Sequence, residues 1–138
     1  MDFQKLLAYQ KSYELAMLVF EITKQFPKEE VYSLTDQIRR SSRSVTVNIA
    51  EAYRKRKYVK HFISKLTDAD AENSETIVWL DFAVSCNYLA KSEVENLKTL
   101  SKEVGKLLNY MMNYPEKFGV KTENRQLKTE KQQQHNYT

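Results

Sequence analysis

The sequence predicts an all-α fold: an antiparallel up-down-up-down four-helix bundle over residues 1–118, with a disordered polar tail over 119–138. Three observations lead there. Only two Gly and two Pro occur in 138 residues, too few for the turns of an all-β fold or the phosphate-cradling loops of glycine-rich nucleotide folds. Four successive stretches carry apolar residues at steps of three and four, joined by short links, so that each helix neighbours the next. Nine Tyr, six Phe and one Trp supply large apolar side chains for the core of one domain.

The first helix spans Phe3 to about Lys24, with Leu6, Tyr9, Tyr13, Ala16 and Phe20 on one stripe and Asp2 as N-cap. Phe26-Pro27 stops it, because the residue before proline is pushed out of the α region. Pro27, Glu29 and Glu30 then read as the first turn of helix two. Its stripe is Val31, Leu34, Ile38, Val45, Ile49 and Ala52, interrupted by Ser41-Ser42-Arg43-Ser44, whose hydroxyls need partners at a close helix contact. Tyr53-Arg54-Lys55-Arg56-Lys57-Tyr58 is too charged for core and forms the connection to helix three. That helix runs from about Val59 to Leu89 with Phe62, Leu66, Ala69, Asn73, Ile77, Leu80, Val84 and Tyr88 at helical spacing, a length that suits a bundle. After Ala90-Lys91, Ser92 and Glu95 form a capping-box pattern ahead of Val94, Leu97, Ser101, Val104, Leu108 and Met111. Helix four ends near Tyr114-Pro115, and from about residue 120 almost nothing apolar remains to bury.

The net charge of +4 hides a segregation. Residues 37–61 hold eight cations (Arg39, Arg40, Arg43, Arg54, Lys55, Arg56, Lys57, Lys60) against Glu51, a net +7, and residues 62–103 hold eight acids against four lysines, a net −4. Eight cations this close repel one another, and an anionic partner explains their concentration better than a merely solvated face does. That partner is a nucleic acid backbone or an acidic protein surface. Tyr53 and Tyr58 flank the basic run and offer either rings that seal the bundle end or stacking surfaces for unpaired bases.

Catalytic patterns are missing. The lone Cys86 excludes an intramolecular disulfide and fits a reducing cytoplasm; with no companion Cys and no nearby His it also gives no zinc or nucleophile site. Of the two histidines, His61 has Tyr58 three residues before it, so the Glu-x-x-His pair of a di-iron bundle is absent, and His135 lies in the predicted tail. Asp68, Glu72 and Glu75 share one helical face, more simply facing cations of a neighbouring helix or subunit than holding a metal. Neither a signal peptide nor a membrane span is read, so the expectation is a cytoplasmic, non-enzymatic protein without a cofactor.

The strings Phe26-Pro27, Tyr32-x-Leu34-Thr35-x-Gln37-Ile38-Arg39-Arg40-Ser41 and Ser44-Val45-x-x-Asn48-Ile49-Ala50-Glu51, then Phe62, Leu66 and Tyr88-Leu89, resemble the four-helix-bundle family of 23S rRNA intervening-sequence proteins of bacteria. The resemblance extends to about Phe118. It implies a homopentamer with a basic surface, since the related accessory protein of diversity-generating retroelements is a pentameric barrel that binds nucleic acid. The chain departs from the family at Ala52, where Gly is usual, and at Ala71-Glu72, where Gly-Ser is usual. Arg40, Ser44, Asn48 and Glu51 line one face of helix two. Ser44, Asn48 and Glu51 are read as structural polar residues and the eight cations as nucleic-acid contacts, Arg40 facing phosphate. Two functions lead: nucleic-acid binding with low sequence specificity, and a scaffold recruiting an acidic protein through its surface or tail; a third, a bundle binding a metal or small molecule, rests only on the Asp68, Glu72 and Glu75 face.

Overall fold

The structure, a computed structural model, describes residues 2–121. It is a four-helix bundle built from α1 (Leu7–Ile22), α2 (Leu34–Arg54), α3 (Val59–Ser85) and α4 (Lys91–Asn113), with 3-10 turns at Phe3–Lys5, Thr23–Gln25, Lys28–Glu30 and Pro115–Phe118. Cross-helix contacts fix the directions. Ser12 meets Thr46 and Thr23 meets Arg39, Ser41 meets Thr76 and Glu51 meets Lys65, Asn73 meets Ser101 and Thr67 meets Met112, and Lys11 meets Glu103. In each of the three successive pairs one number rises as the other falls, so those pairs are antiparallel, and α4, which closes the ring against α1 through Lys11 and Glu103, therefore runs antiparallel to it as well.

The helix ends differ from the sequence expectation, each for a local reason. Asp2 caps a 3-10 turn through the Phe3 N–H (2.8 Å), and α1 proper begins at Leu7 after Leu6 turns extended. Pro27 starts only the 3-10 turn Lys28–Glu30; α2 begins at Leu34, where the Glu30 carboxylate accepts the Leu34 N–H (3.1 Å) and the Ser33 hydroxyl (2.7 Å). Arg54 is still helical. Helix α3 stops at Ser85 rather than Leu89 because Asn87 takes a left-handed conformation (φ 63°), with the Tyr88 N–H bonded to Ala83 O and the Asn87 N–H to Val84 O, a Schellman closure. Helix α4 is capped two residues earlier than the Ser92/Glu95 pattern implied: Glu93 accepts the Ala90 N–H at 2.8 Å, half of a capping box that Ala90 cannot reciprocate.

The core has two apolar halves. One gathers Leu6, Val45, Ile49, Tyr53, Phe62, Leu66, Leu108, Met111 and Val120; the other gathers Leu15, Val19, Phe26, Ile38, Leu80, Leu89, Val94 and Leu97. Ala52 is fully buried in the first half, so the family's usual Gly is not needed there for packing. Val120 is buried too, which carries the packed body two residues beyond the predicted boundary at 118. Most of the predicted tail, residues 122–138 with His135, lies outside the described residues.

Between the halves runs a layer of buried polar side chains, with members on all four helices. Thr46 donates to the Ser12 hydroxyl (2.9 Å), Ser41 and Thr76 share a hydrogen bond (2.8 Å), and Asn73 and Ser101 bond twice, amide to carbonyl (2.9 Å) and hydroxyl to amide oxygen (3.1 Å). The hydroxyls of the Ser41-Ser42 run therefore have partners, Ser42 bonding Arg39 O (3.1 Å).

Candidate nucleic-acid interface

The predicted cations fall into three groups by what their side chains touch. Arg39 and Arg56 are engaged within the chain. The Arg39 Nε–H donates to Thr23 Oγ1 (2.8 Å), and its guanidinium lies 4.8 Å from the centre of the Phe20 ring. Arg56 donates to Tyr53 O (2.7 Å) and Phe118 O (3.0 Å) and stacks 3.6 Å from the Tyr53 ring centre, tying the α2–α3 connection to the turn that follows α4. Tyr53 itself is buried, so of the two tyrosines flanking the basic run only Tyr58 faces solvent.

Arg40 and Arg43 form the second group, on the outward face of α2 at mid-length. They border an open groove of about 710 Å³ together with Ser44, Asn48 and Glu51. The Asn48 amide donates to Ser44 O (2.9 Å), while Glu51 pairs with Lys65 at 2.7 Å, which raises the lysine's pKa. Ser44 and Asn48 are half-buried and Glu51 is exposed, so these three make a groove wall rather than an interior ladder. Arg40 also offsets the acids of α3. Glu72 is pushed above the usual carboxylate range by burial and by its hydrogen bond to Glu75, with Asp68 adding repulsion and Arg40 attraction. Among the described residues no group of three or more His, Cys, Asp or Glu is placed to hold a metal ion.

The third group, Arg54, Lys55, Lys57 and Lys60, projects at the bundle end where α2 turns into α3. Arg54 reaches Asp2 at 3.4 Å and Lys57 lies 5.7 Å from the Tyr58 ring centre; both side chains are exposed. Because the bundle is antiparallel, the start of the chain and the end of α4 arrive at the same end. They add Lys5, Lys117 and Lys121, and the aromatic residues Tyr110 and Tyr114, which the sequence reading did not single out. The signal was available: up-down-up-down topology places the last turn of α4 beside the α2–α3 connection.

A second groove, about 420 Å³ and mostly apolar, lies between α1 and α2, with Tyr13, Met17 and Val47 each about half exposed along it and Arg43 at its edge. No helix among the described residues is long and apolar enough to cross a membrane.

Comparison with known proteins places this geometry. A family model described as 23S rRNA-intervening sequence protein matches residues 4–110. Among solved structures, the chain is similar to a protein of unknown function from the S23 ribosomal protein family of Bacteroides thetaiotaomicron, at 30% identity and a TM-score of 0.69, over 77% of this chain and 95% of that one. No curated protein matches the chain.

Proposed function

The chain belongs to the 23S rRNA-intervening sequence protein family, and from that premise we propose that it is a non-enzymatic, cytoplasmic nucleic-acid-binding protein that grips the RNA or DNA backbone at the basic end of its bundle with little sequence specificity. The observation that carries this reading is convergence. Arg54, Lys55, Lys57 and Lys60 meet Lys5, Lys117 and Lys121, drawn from three separated parts of the chain, against Asp2 and Glu116. Like charges brought together by the fold oppose folding, and a polyanion offsets that cost. Phosphate contacts of this kind position the ligand without reading its sequence.

The test is fluorescence anisotropy of labelled RNA and DNA across a salt series. Four backbone contacts give a slope of log affinity on log salt of about −3 for single strands and nearer −4 for duplexes. Changing Arg54, Lys55, Lys57 and Lys60 to Gln should weaken binding to all sequences alike and make the slope shallower by that amount, leaving the share of Lys5, Lys117 and Lys121. Binding that ignores salt, or keeps the parent's affinity and slope after the four substitutions, refutes the reading.

The same family membership supports a homo-oligomer, pentameric as the resemblance implies, and the α1–α2 groove suits a second copy. Its apolar strip is edged by Arg43, whereas the outer face of α3 presents exposed Val78 and Phe82 with Glu75 one turn before Val78. Apolar strips edged by opposite charges suit a head-to-tail contact that closes into a ring. Light scattering at the monomer mass, unchanged by concentration, would rule this assembly out.

A further inference from the structure

We propose that the ligand of the basic end is an unpaired segment of nucleic acid, whose bases stack on Tyr58, Tyr110 and Tyr114. This inference rests on the binding reading above and narrows it from any polyanionic backbone to a single strand.

The argument starts from exposed aromatic area. Tyr58 is 56% exposed, Tyr110 42% and Tyr114 40%, and all three sit at the end of the bundle that carries the third group of cations. Tyr110 and Tyr114 are adjacent, with ring centres 5.1 Å apart and planes tilted by 40°; Phe118 meets Tyr110 edge-to-face at 6.0 Å. Tyr58 has His61 beside it at 5.4 Å. Single exposed rings occur elsewhere on the surface, Tyr32 and Tyr13 among them; what sets this end apart is that its exposed rings come together with cations.

A cation lies over the face of each ring, and an incoming base takes that face while the cation turns to the phosphate. The Lys117 ammonium lies 5.3 Å from the Tyr110 ring centre and 5.2 Å from that of Tyr114, and the Lys57 ammonium 5.7 Å from that of Tyr58. A nucleotide in a single strand offers the matching pair of groups at similar spacing, a flat base and a phosphate. In a duplex the base faces are covered by their neighbours, so duplex binding would use the lysines and leave the tyrosines idle. Two separate parts of the chain supply these ring-and-cation pairs, the α2–α3 connection and the end of α4, and Arg56 holds them together by its bond to Phe118 O (3.0 Å). A strand lying across that end meets both.

The experiment uses the full chain with a single strand containing 2-aminopurine, whose fluorescence falls on stacking, and the duplex of the same sequence, at one salt concentration. Single-strand binding should quench the probe. Tyr110→Leu with Tyr114→Leu should cost about tenfold or more in single-strand affinity, within the fivefold to hundredfold that loss of a stacked base produces, while duplex affinity changes less than about twofold. Tyr58→Leu, on the connection and outside the α4 packing, should weaken single-strand binding in the same selective way, and Phe at all three positions should restore both affinity and quenching. If the Leu variants bind single strands as the parent does, with the parent's salt slope and no probe quenching, the stacking inference falls and the backbone reading stands. If the parent binds neither form at any salt, the backbone reading itself fails.

Discussion

Arg56 sits in the middle of the basic run, yet its side chain points to a mechanical role, and that difference is measurable. Its guanidinium makes two hydrogen bonds to main-chain carbonyls, Tyr53 O at 2.7 Å and Phe118 O at 3.0 Å, and stacks 3.6 Å from the Tyr53 ring centre. Hydrogen bonds from a charged donor contribute about 1.5–3 kcal/mol when buried; with Arg56 only half-buried we take about 1 kcal/mol each. The stacking adds about 0.5–1 kcal/mol. Arg56→Gln should therefore destabilise the fold by about 2–3 kcal/mol, which for a domain of this size is a drop in Tm of about 10 °C. Arg56→Lys keeps the charge but cannot reach both carbonyls in a plane, so it should recover less than half of the loss. Lys55→Gln and Lys57→Gln, on exposed side chains without such bonds, should stay within about 0.5 kcal/mol. The assay is thermal and urea unfolding followed by circular dichroism. An Arg56→Gln protein as stable as the parent, or full rescue by Lys, would refute the assignment of Arg56 as a staple.

Three further outcomes follow from the packing. Asn73→Ala removes both bonds to Ser101 and leaves its buried hydroxyl without the amide oxygen it donates to, while the Ser101 carbonyl keeps its helix bond; the loss is about 1–3 kcal/mol by denaturant unfolding, whereas adding Ser101→Ala should cost clearly less than the sum of the single changes. Gly105→Ala should stabilise α4 by about 0.5–1 kcal/mol, because a methyl there meets only the Asn73 amide, at 3.8 Å, and mid-helix glycine is entropically costly; a fall in Tm would mean that contact is tighter than it stands. Glu30 is held below the usual carboxylate pKa, chiefly by the Ser33 hydroxyl and then the Leu34 N–H, so its stabilisation is present above about pH 4.5 and lost as pH falls through its lowered value. Glu30→Gln should accordingly lower Tm at pH 7 and converge with the parent in acid; a gap that stays constant with pH would assign the loss to something other than charge.

The seams of helices two, three and four were legible because burial on a helix leaves a periodic trace: Ile38, Val45, Ile49 and Ala52, Phe62, Leu66, Ala69 and Leu80, or Val94, Leu97, Val104 and Leu108, are all interior. The stripe read for helix one was rotated off its core face: Tyr13 is 53% exposed and Tyr9 and Phe20 are half-buried, while Ala8, Ser12, Leu15, Ala16 and Val19 face inward, and Val31, expected in the second seam, is 46% exposed ahead of α2. The ends were less legible than the seams. Asn87 adopts a left-handed conformation that its neighbours Tyr88 and Leu89 do not betray, and the capping of α4 relies on Glu93 reaching back to a residue with no capping group of its own. At the basic end the cations were visible as a run, but their sorting was not. The partners of Arg39 and Arg56 include main-chain carbonyls at Phe20 and Phe118, and a carbonyl has no residue code. Tyr110 and Tyr114 were missed for a different reason: they lie some fifty residues from Tyr58, and only the antiparallel course of the helices brings them toward the same end of the bundle.

The polar layer across the middle of the core has a consequence for alignment. Apolar seams alone would tolerate a helix sliding by one turn, about 5.4 Å, since one aliphatic residue substitutes for another along the stripe. Here such a slip would separate Ser12 from Thr46, Ser41 from Thr76 and Asn73 from Ser101, stranding polar groups in hydrocarbon on every helix at once. The layer works as a set of dowels: it adds little to adhesion and leaves the four helices one way to line up, which fixes where the scattered cations and tyrosines of the basic end stand relative to one another.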